Sequence, residues 1–253
     1  MAGTEAPPTT LPSVREVGAL APLSWLAAGW RDFRAHPASS LFYGACFTLM
    51  AFLVHIVFRH ASPYLSALVT GFFLVGPFLA VGLYDLSRRR ERGEPADVAH
   101  TFAAWEPNKG ALGMFAIVLA VVLLVWARAS LVVFALFSTQ GMPTLDDFLD
   151  RVVSLDNLEF VLAYLCVGGF FAMLVFAISV VSVPMMLDRN TDGIVAVLTS
   201  LRACVANVPA MLVWGLAIVL VVGLGFATWL AGLLVAVPVI GHATWHAYRA
   251  LVE

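Results

Sequence analysis

The residues whose types and spacing best suit chemistry lie near the C-terminus, in Gly241-His-Ala-Thr-Trp-His-Ala-Tyr-Arg249. His242 and His246 are four apart, so on a helix both imidazoles share one face and can hold one metal ion or meet a common partner. Two ligands are not a complete site, and no glutamate stands between them as it does in H-E-x-x-H zinc enzymes. The competing reading is a helix end at the cytoplasmic headgroups, where Trp245, Tyr248 and Arg249 are the residue types an interface selects. A haem would need two histidines at one depth on facing helices. His55 lies roughly 22 Å into its apolar run, far from the level of His242 and His246. His36 and His100 lie nearer that level, so a four-histidine site on the inner face is geometrically open.

Arg128 sits inside an apolar run, which by default marks a functional position. Counted from Gly110 it is about 27 Å up a helix, near the outer boundary, where it can snorkel or pair with an acidic loop. The run Arg88-Arg89-Arg90-Glu91-Arg92 reads as a topology anchor that touches anionic lipid. There is no P-loop, no G-x-S-x-G and no dinucleotide fingerprint. Asp85 and Asp188 fall at the ends of apolar runs, so no carboxylate is expected at the middle of a membrane, which weighs against a proton-coupled carrier. Cys46, Cys166 and Cys204 form no C-x-x-C pair and read as small buried hydrophobes.

The elements that must position these residues follow from composition. Hydrophobic residues make up 61% of the 253-residue chain and charged ones 12%, with mean hydropathy +0.93. A soluble domain carries about a quarter charged residues, and lipid is the solvent that accepts such an apolar excess. The net charge of −2 offers no basic field for nucleic acid. Thirteen of the 14 basic residues are arginine, which with abundant Ala, Val and Leu points to a GC-rich bacterial genome.

A span needs about 20 apolar residues. Six are predicted, over 40–58, 63–86, 110–137, 160–187, 206–227 and 230–249, the last two by dividing one 42-residue apolar block near residues 226–230. Residues 1–22, rich in Pro, Thr and Ala and without a signal-peptide pattern, read as a disordered cytoplasmic tail before a membrane domain over 23–253. With the N-terminus inside, inner segments hold eleven Lys and Arg while outer loops hold Arg59 and Arg151 only. That bias places both termini in the cytoplasm of a bacterial inner membrane. The third loop is acidic, and Leu145, Phe148, Leu149, Val152 and Val153 predict a short amphipathic helix on the outer surface.

The fold class is therefore all-α, a polytopic helical bundle, with one unit used three times. Each unit opens with an amphipathic segment, passes a Pro or Asn, and adds two spans. The apolar faces are Leu23, Leu26, Trp30 and Phe33 in the first, Val98, Phe102 and Trp105 in the second, and Ile194, Val197, Leu198, Leu201 and Val205 in the third. A late proline (Pro77, Pro184, Pro238) frees a carbonyl one turn earlier in the second span of each unit. Gly71, Gly76, Gly82, Gly168 and Gly169 are expected to let helices approach closely.

The C-terminal phrase, with Gly29-Trp-Arg-Asp-Phe33, Ser40-Leu-Phe-Tyr-Gly44 and Gly71-Phe-Phe-Leu-Val-Gly-Pro77, resembles a bacterial family of uncharacterised integral membrane proteins, a domain of unknown function. Some members carry a cytochrome c oxidase subunit I-like label. The resemblance covers nearly all of the chain after the tail and implies a polytopic inner-membrane protein without an assigned activity. The oxidase label departs from this sequence, which has half the spans of such a subunit and histidines mostly at the wrong depths.

The expectation is a non-catalytic accessory or assembly subunit of a larger membrane complex, with a respiratory complex among the candidates. Lipid and a membrane-protein partner are its expected contacts, with no cofactor and no nucleic acid. A small-solute carrier and a histidine-ligated metal or haem protein are the alternatives.

Overall fold

A computed structural model describes residues 11–60, 65–137 and 158–253, with the side chains of 58–60, 65–77 and 134 outside the described set. Among the described residues all regular elements are helical, apart from an isolated bridge between Val14 and Val252. In chain order the α-helices are α1 (Ala21–Ala35), α2 (Pro37–His60), α3 (Leu65–Arg92), α4 (Val98–Thr101), α5 (Lys109–Phe137), α6 (Leu158–Ser179), α7 (Ser182–Arg189), α8 (Gly193–Ala206), α9 (Val208–Ala227) and α10 (Leu233–Leu251). A 3-10 turn, Glu106–Asn108, leads into α5.

Among the described residues four stretches are long and apolar enough to cross a membrane: Pro37–Val57, Val98–Phe137, Leu158–Arg189 and Val208–Ala227. Their outward faces carry large apolar side chains, among them Met114 (68% exposed), Leu165 (63%) and Val219 (67%), which no water-soluble protein would leave uncovered. Exposed apolar flanks of this kind belong against acyl chains, so the protein is an integral membrane protein. α10 packs most intimately. It lies against α1, α2, α3 and α9 and buries twelve of its residues.

Local sequence explains the boundaries. Pro37 both ends α1 and begins α2, because the residue before proline is driven out of the helical region and proline itself suits a helix start. α3 ends in a Schellman motif: Gly93 has φ +69°, its N–H reaches Arg90 O at 3.2 Å, and Glu94 N–H reaches Arg89 O at 2.9 Å. Asp97 and Asp192 cap α4 and α8 by accepting from the N–H groups of His100 and Ile194. The 42-residue apolar block breaks over residues 228–232, where Thr228 Oγ1 accepts the N–H of Gly232 at 2.8 Å.

Several expectations are altered. Part of the tail expected to be disordered is ordered: Arg15 N–H donates to Leu251 O at 2.8 Å, Glu253 N–H to Ser13 O at 3.2 Å, and α1 begins at Ala21. Residues 1–10 lie outside the described residues, as does the outer amphipathic helix expected around Leu145 to Val153.

The amphipathic helices α1 and α8 keep most of their large apolar side chains on the outside, as an interfacial placement requires. α1 buries Trp25, Ala28, Gly29, Asp32 and Phe33 and leaves Leu23 and Trp30 exposed, while α8 buries Ala196, Thr199, Ser200 and Ala203 and exposes Ile194, Leu198 and Val205. In lipid the large apolar face has no reason to turn inward, whereas small residues allow close packing and buried hydroxyls find partners.

The tight approaches also lie elsewhere than at Gly168 and Gly169, which are open. A Cβ on Gly29 would meet Val239 O at 2.6 Å, and one on Gly44 would collide with the Leu234 carbonyl and Pro238 of α10. Of the expected glycines, Gly82 does pack tightly, against Tyr43. Gly71 and Gly76 fall among the residues whose side chains are not described.

A candidate functional site at the polar end of the bundle

The C-terminal phrase lies at the end of α10, against the start of α2 and the ends of α1 and α3. His242 is fully buried, and so is Ser40, while Ser87 is 1% and Asp32 4% exposed. Ser87 Oγ lies 2.6 Å from Asp32 Oδ2 and 2.8 Å from His242 Nδ1, and Ser40 Oγ lies 2.9 Å from His242 Nε2. Ionised Asp32 can only accept, so Ser87 directs its one proton to it. His242 Nδ1 must then donate to Ser87, and its Nε2 accepts from Ser40. The ring is thereby fixed as the Nδ1–H tautomer, bridging α2 and α3.

Asp32 is the hub. His246 Nε2 donates to Oδ2 at 2.8 Å, and Arg90 pairs with Oδ1. Burial alone would raise the Asp32 pKa, but the hydrogen bonds from His246 and Ser87 outweigh it and hold the carboxyl below its ordinary value. So the shared helical face of His242 and His246 is real, yet the residues they meet are Asp32, Ser40 and Ser87.

A second layer closes the end of the bundle. Asp188 on α7 accepts from Tyr248 Oη at 2.9 Å and from Arg92 at 3.1 Å, with Arg249 Nη1 at 3.7 Å. Arg189 Nε donates to Tyr248 Oη at 2.9 Å. Glu91 accepts from Trp245 Nε1 at 3.1 Å and from Arg249 Nη2 at 2.9 Å. Asp85, fully buried, accepts from Arg89 Nε at 2.8 Å, and Arg88 Nη2 lies 2.5 Å from its other oxygen in ion-pair contact without hydrogen-bond geometry. Arg88 also donates to Leu187 O at 2.9 Å. The arginine run is thus tied largely to α1 and α7, beyond its expected part as a topology anchor.

Two asparagines do the same for backbone. Asn108 Nδ2 donates to Met186 O and Thr191 O, while Asn207 accepts from Val17 N–H and donates to Arg15 O. Each stands immediately before an apolar helix, α5 or α9, and each ties that start to a distant segment.

The other expected residues are placed as follows. Pro184 lies in the first turn of α7, just after the chain breaks at Val180 and Val181. Its missing N–H contributes to that break, and Ser200 Oγ donates to Ala177 O nearby at 2.7 Å. Pro238 lies inside α10, where it frees the Leu234 carbonyl that faces Gly44. Pro77 falls in the part of α3 whose side chains are not described. Arg128 is exposed on α5, and the acidic loop expected to pair with it lies outside the described residues.

The four-histidine arrangement does not assemble, since His100 turns to Asp97 at 2.7 Å. Among the described residues no group of three or more His, Cys, Asp or Glu is placed to hold a metal ion. Asp32 and Ser40 stand in the phrases that carry the resemblance, but their pairing with the histidines, like that of Ser87, has no local signature because they lie 155 to 214 positions from those partners. Their position at the edges of apolar runs is a further signal.

No curated protein and no solved structure matches the chain. Residues 65–188, from the start of α3 to the end of α7, match the family described as predicted integral membrane protein (DUF2189), and that is the family this part of the chain is similar to.

Proposed function

We propose that the protein is a non-catalytic accessory or assembly subunit of a larger complex in the bacterial inner membrane. The observation that carries this reading is the state of His242, the most chemically suggestive residue: it is fully buried, with both ring nitrogens taken by serines of neighbouring helices. A group in that position locks helices together. Metal binding there would have to break a serine contact, and His246 would have to leave Asp32.

The lateral surface supports the same reading. A groove of about 500 Å³ between α6, α8 and α9 is floored by Gly169, Ala172 and Gly215 and walled by Met173, Met211 and Leu212. Small residues on an exposed face admit a helix from another chain at short distance.

The six-span arrangement with both termini in the cytoplasm belongs to this proposal. The contacts of residues 13–17 with residues 251–253 and with Asn207 support an even number of crossings with both described ends on one side. α3 and α10 supply the fifth and sixth crossings. The order amphipathic helix, span, span runs α1-α2-α3, α4-α5-α6 and α8-α9-α10, which supports a threefold unit.

Purification in mild detergent, with mass spectrometry of what co-elutes and an absorbance and metal scan, tests the function. A stoichiometric membrane-protein partner and no cofactor is the expected result. A single chain with stoichiometric haem or metal overturns it.

A further inference from the structure

The arginine run at the end of α3 is matched to carboxylates: Arg88 and Arg89 to Asp85, Arg90 to Asp32 and Arg92 to Asp188. Arg31 and Arg34 of α1 are not. Both are exposed, and among the described residues neither has an acidic partner. Asp32, the one acidic residue in the α1 sequence, faces inward and already answers Arg90 and His246.

The spacing gathers these side chains into a patch. Arg31 and Arg34 are three apart and Trp30 and Arg34 four apart, so the three are neighbours on one helix surface. Trp30 is 45% exposed and lies flat on Phe33, with ring centroids 5.5 Å apart and planes 14° from parallel. Among the described residues its Nε1–H meets no acceptor. Two guanidinium groups and an indole N–H offer donors only, the complement of an oxyanion. Toward the N-terminus the same exposed strip turns apolar, with Leu20, Leu23 and Ala27.

The level of the patch in the membrane follows from the chain. α2 begins at Pro37, just after Arg34, and shows its first lipid-facing side chains at Leu41 and Phe42, roughly 6 Å further along its axis. The patch therefore stands where hydrocarbon gives way to headgroups. We propose that the exposed face of α1 binds an anionic phospholipid. Arg31, Arg34 and Trp30 hold its phosphate, and its acyl chains lie beside Leu20 and Leu23. A zwitterionic headgroup brings its own cation to the phosphate and gains less from two arginines. The inference rests on the protein's place in the membrane and goes beyond the accessory role.

The test is titration of the purified full-length protein with phosphatidylglycerol, phosphatidylethanolamine and phosphatidylcholine of matched chains, bound lipid being counted by native mass spectrometry. Phosphatidylglycerol is expected to be retained about thirtyfold more tightly than the other two, about fivefold for each arginine. Arg31→Gln and Arg34→Gln are each expected to lower that preference about fivefold, and together to abolish it. The melting temperature of the lipid-free protein is expected to stay unchanged, since both side chains are exposed and unpaired. Arg202→Gln removes another exposed arginine without an acidic partner among the described residues, and is expected to leave the preference intact. Equal retention of the three lipids overturns the proposal, as does a preference that survives the double variant or falls as far with Arg202→Gln. Displacement of phosphatidylglycerol by inorganic phosphate also overturns it, because the patch is then a site for free anions.

Discussion

At the scale of single residues, the stability of the polar end turns on Asp32. It is the one acceptor shared by Ser87, His246 and Arg90. Asparagine there keeps one amide oxygen to accept but loses the charge and the second acceptor, and breaking a buried pair in this way costs about 3 kcal/mol. Asp32→Asn is therefore expected to lower the thermal unfolding temperature in detergent markedly, while Ser40→Ala, which removes one neutral hydrogen bond, costs about 1 kcal/mol. The pH dependence has a definite sign. The folded pKa of Asp32 is depressed, so its contribution is complete above the ordinary carboxylate value of about 4. That contribution is lost as pH falls through the lower folded value. Melting curves of the wild type should fall in that acid range, and those of Asp32→Asn should fall less. The histidine spacing was legible because helical periodicity is local. Asp32, Ser40 and Ser87 were not, because no local pattern says which helix end will stand beside α10.

At the scale of elements, glycine positions decide how closely α1 and α2 approach α10. Gly44→Ala places a methyl against the Leu234 carbonyl that Pro238 leaves without its helical donor, and overpacking of this kind costs about 1–3 kcal/mol. Gly169→Ala, where a Cβ meets nothing within 4 Å, is expected to stabilise the protein by up to about 1 kcal/mol through helix propensity alone. Thermal unfolding of the two variants side by side checks both, and equal effects would contradict the packing described. The apolar runs made α2, α5, α6 and α9 legible, since each needs only composition and length. The apolar stripes of α1 and α8 were legible, but not that Ala28, Gly29, Ala196 and Ala203 are what they bury. The rule that places large apolar side chains inside a protein assumes water outside, and here lipid competes for them. The break before α7 could be read from Pro184, because a missing N–H acts on the carbonyl one turn earlier wherever it occurs.

At the scale of the whole molecule, the two ends of the bundle differ in kind. The ion pairs of Asp32, Asp85, Glu91 and Asp188 gather at one end, with both described termini beside them. The turn between α9 and α10 presents Trp229, which is 93% exposed, as an aromatic suited to a membrane interface. The charge bias between loops was legible in sequence because it is a simple count. The clasp between residues 13–17 and the C-terminus was not, since so short a segment gives no sign of a backbone partner more than 200 positions away.

The central claim, that the polar end faces the cytoplasm with both termini while the α9–α10 turn faces outward, is tested most directly by cysteine labelling in intact cells. Cys46, Cys166 and Cys204 are replaced by serine, and single cysteines are placed at Ser13, Glu253 and Trp229. A membrane-impermeant maleimide should modify position 229 at once and positions 13 and 253 only after the membrane is permeabilised. Labelling of 13 and 253 from opposite sides, or of 229 only from within, would contradict the account.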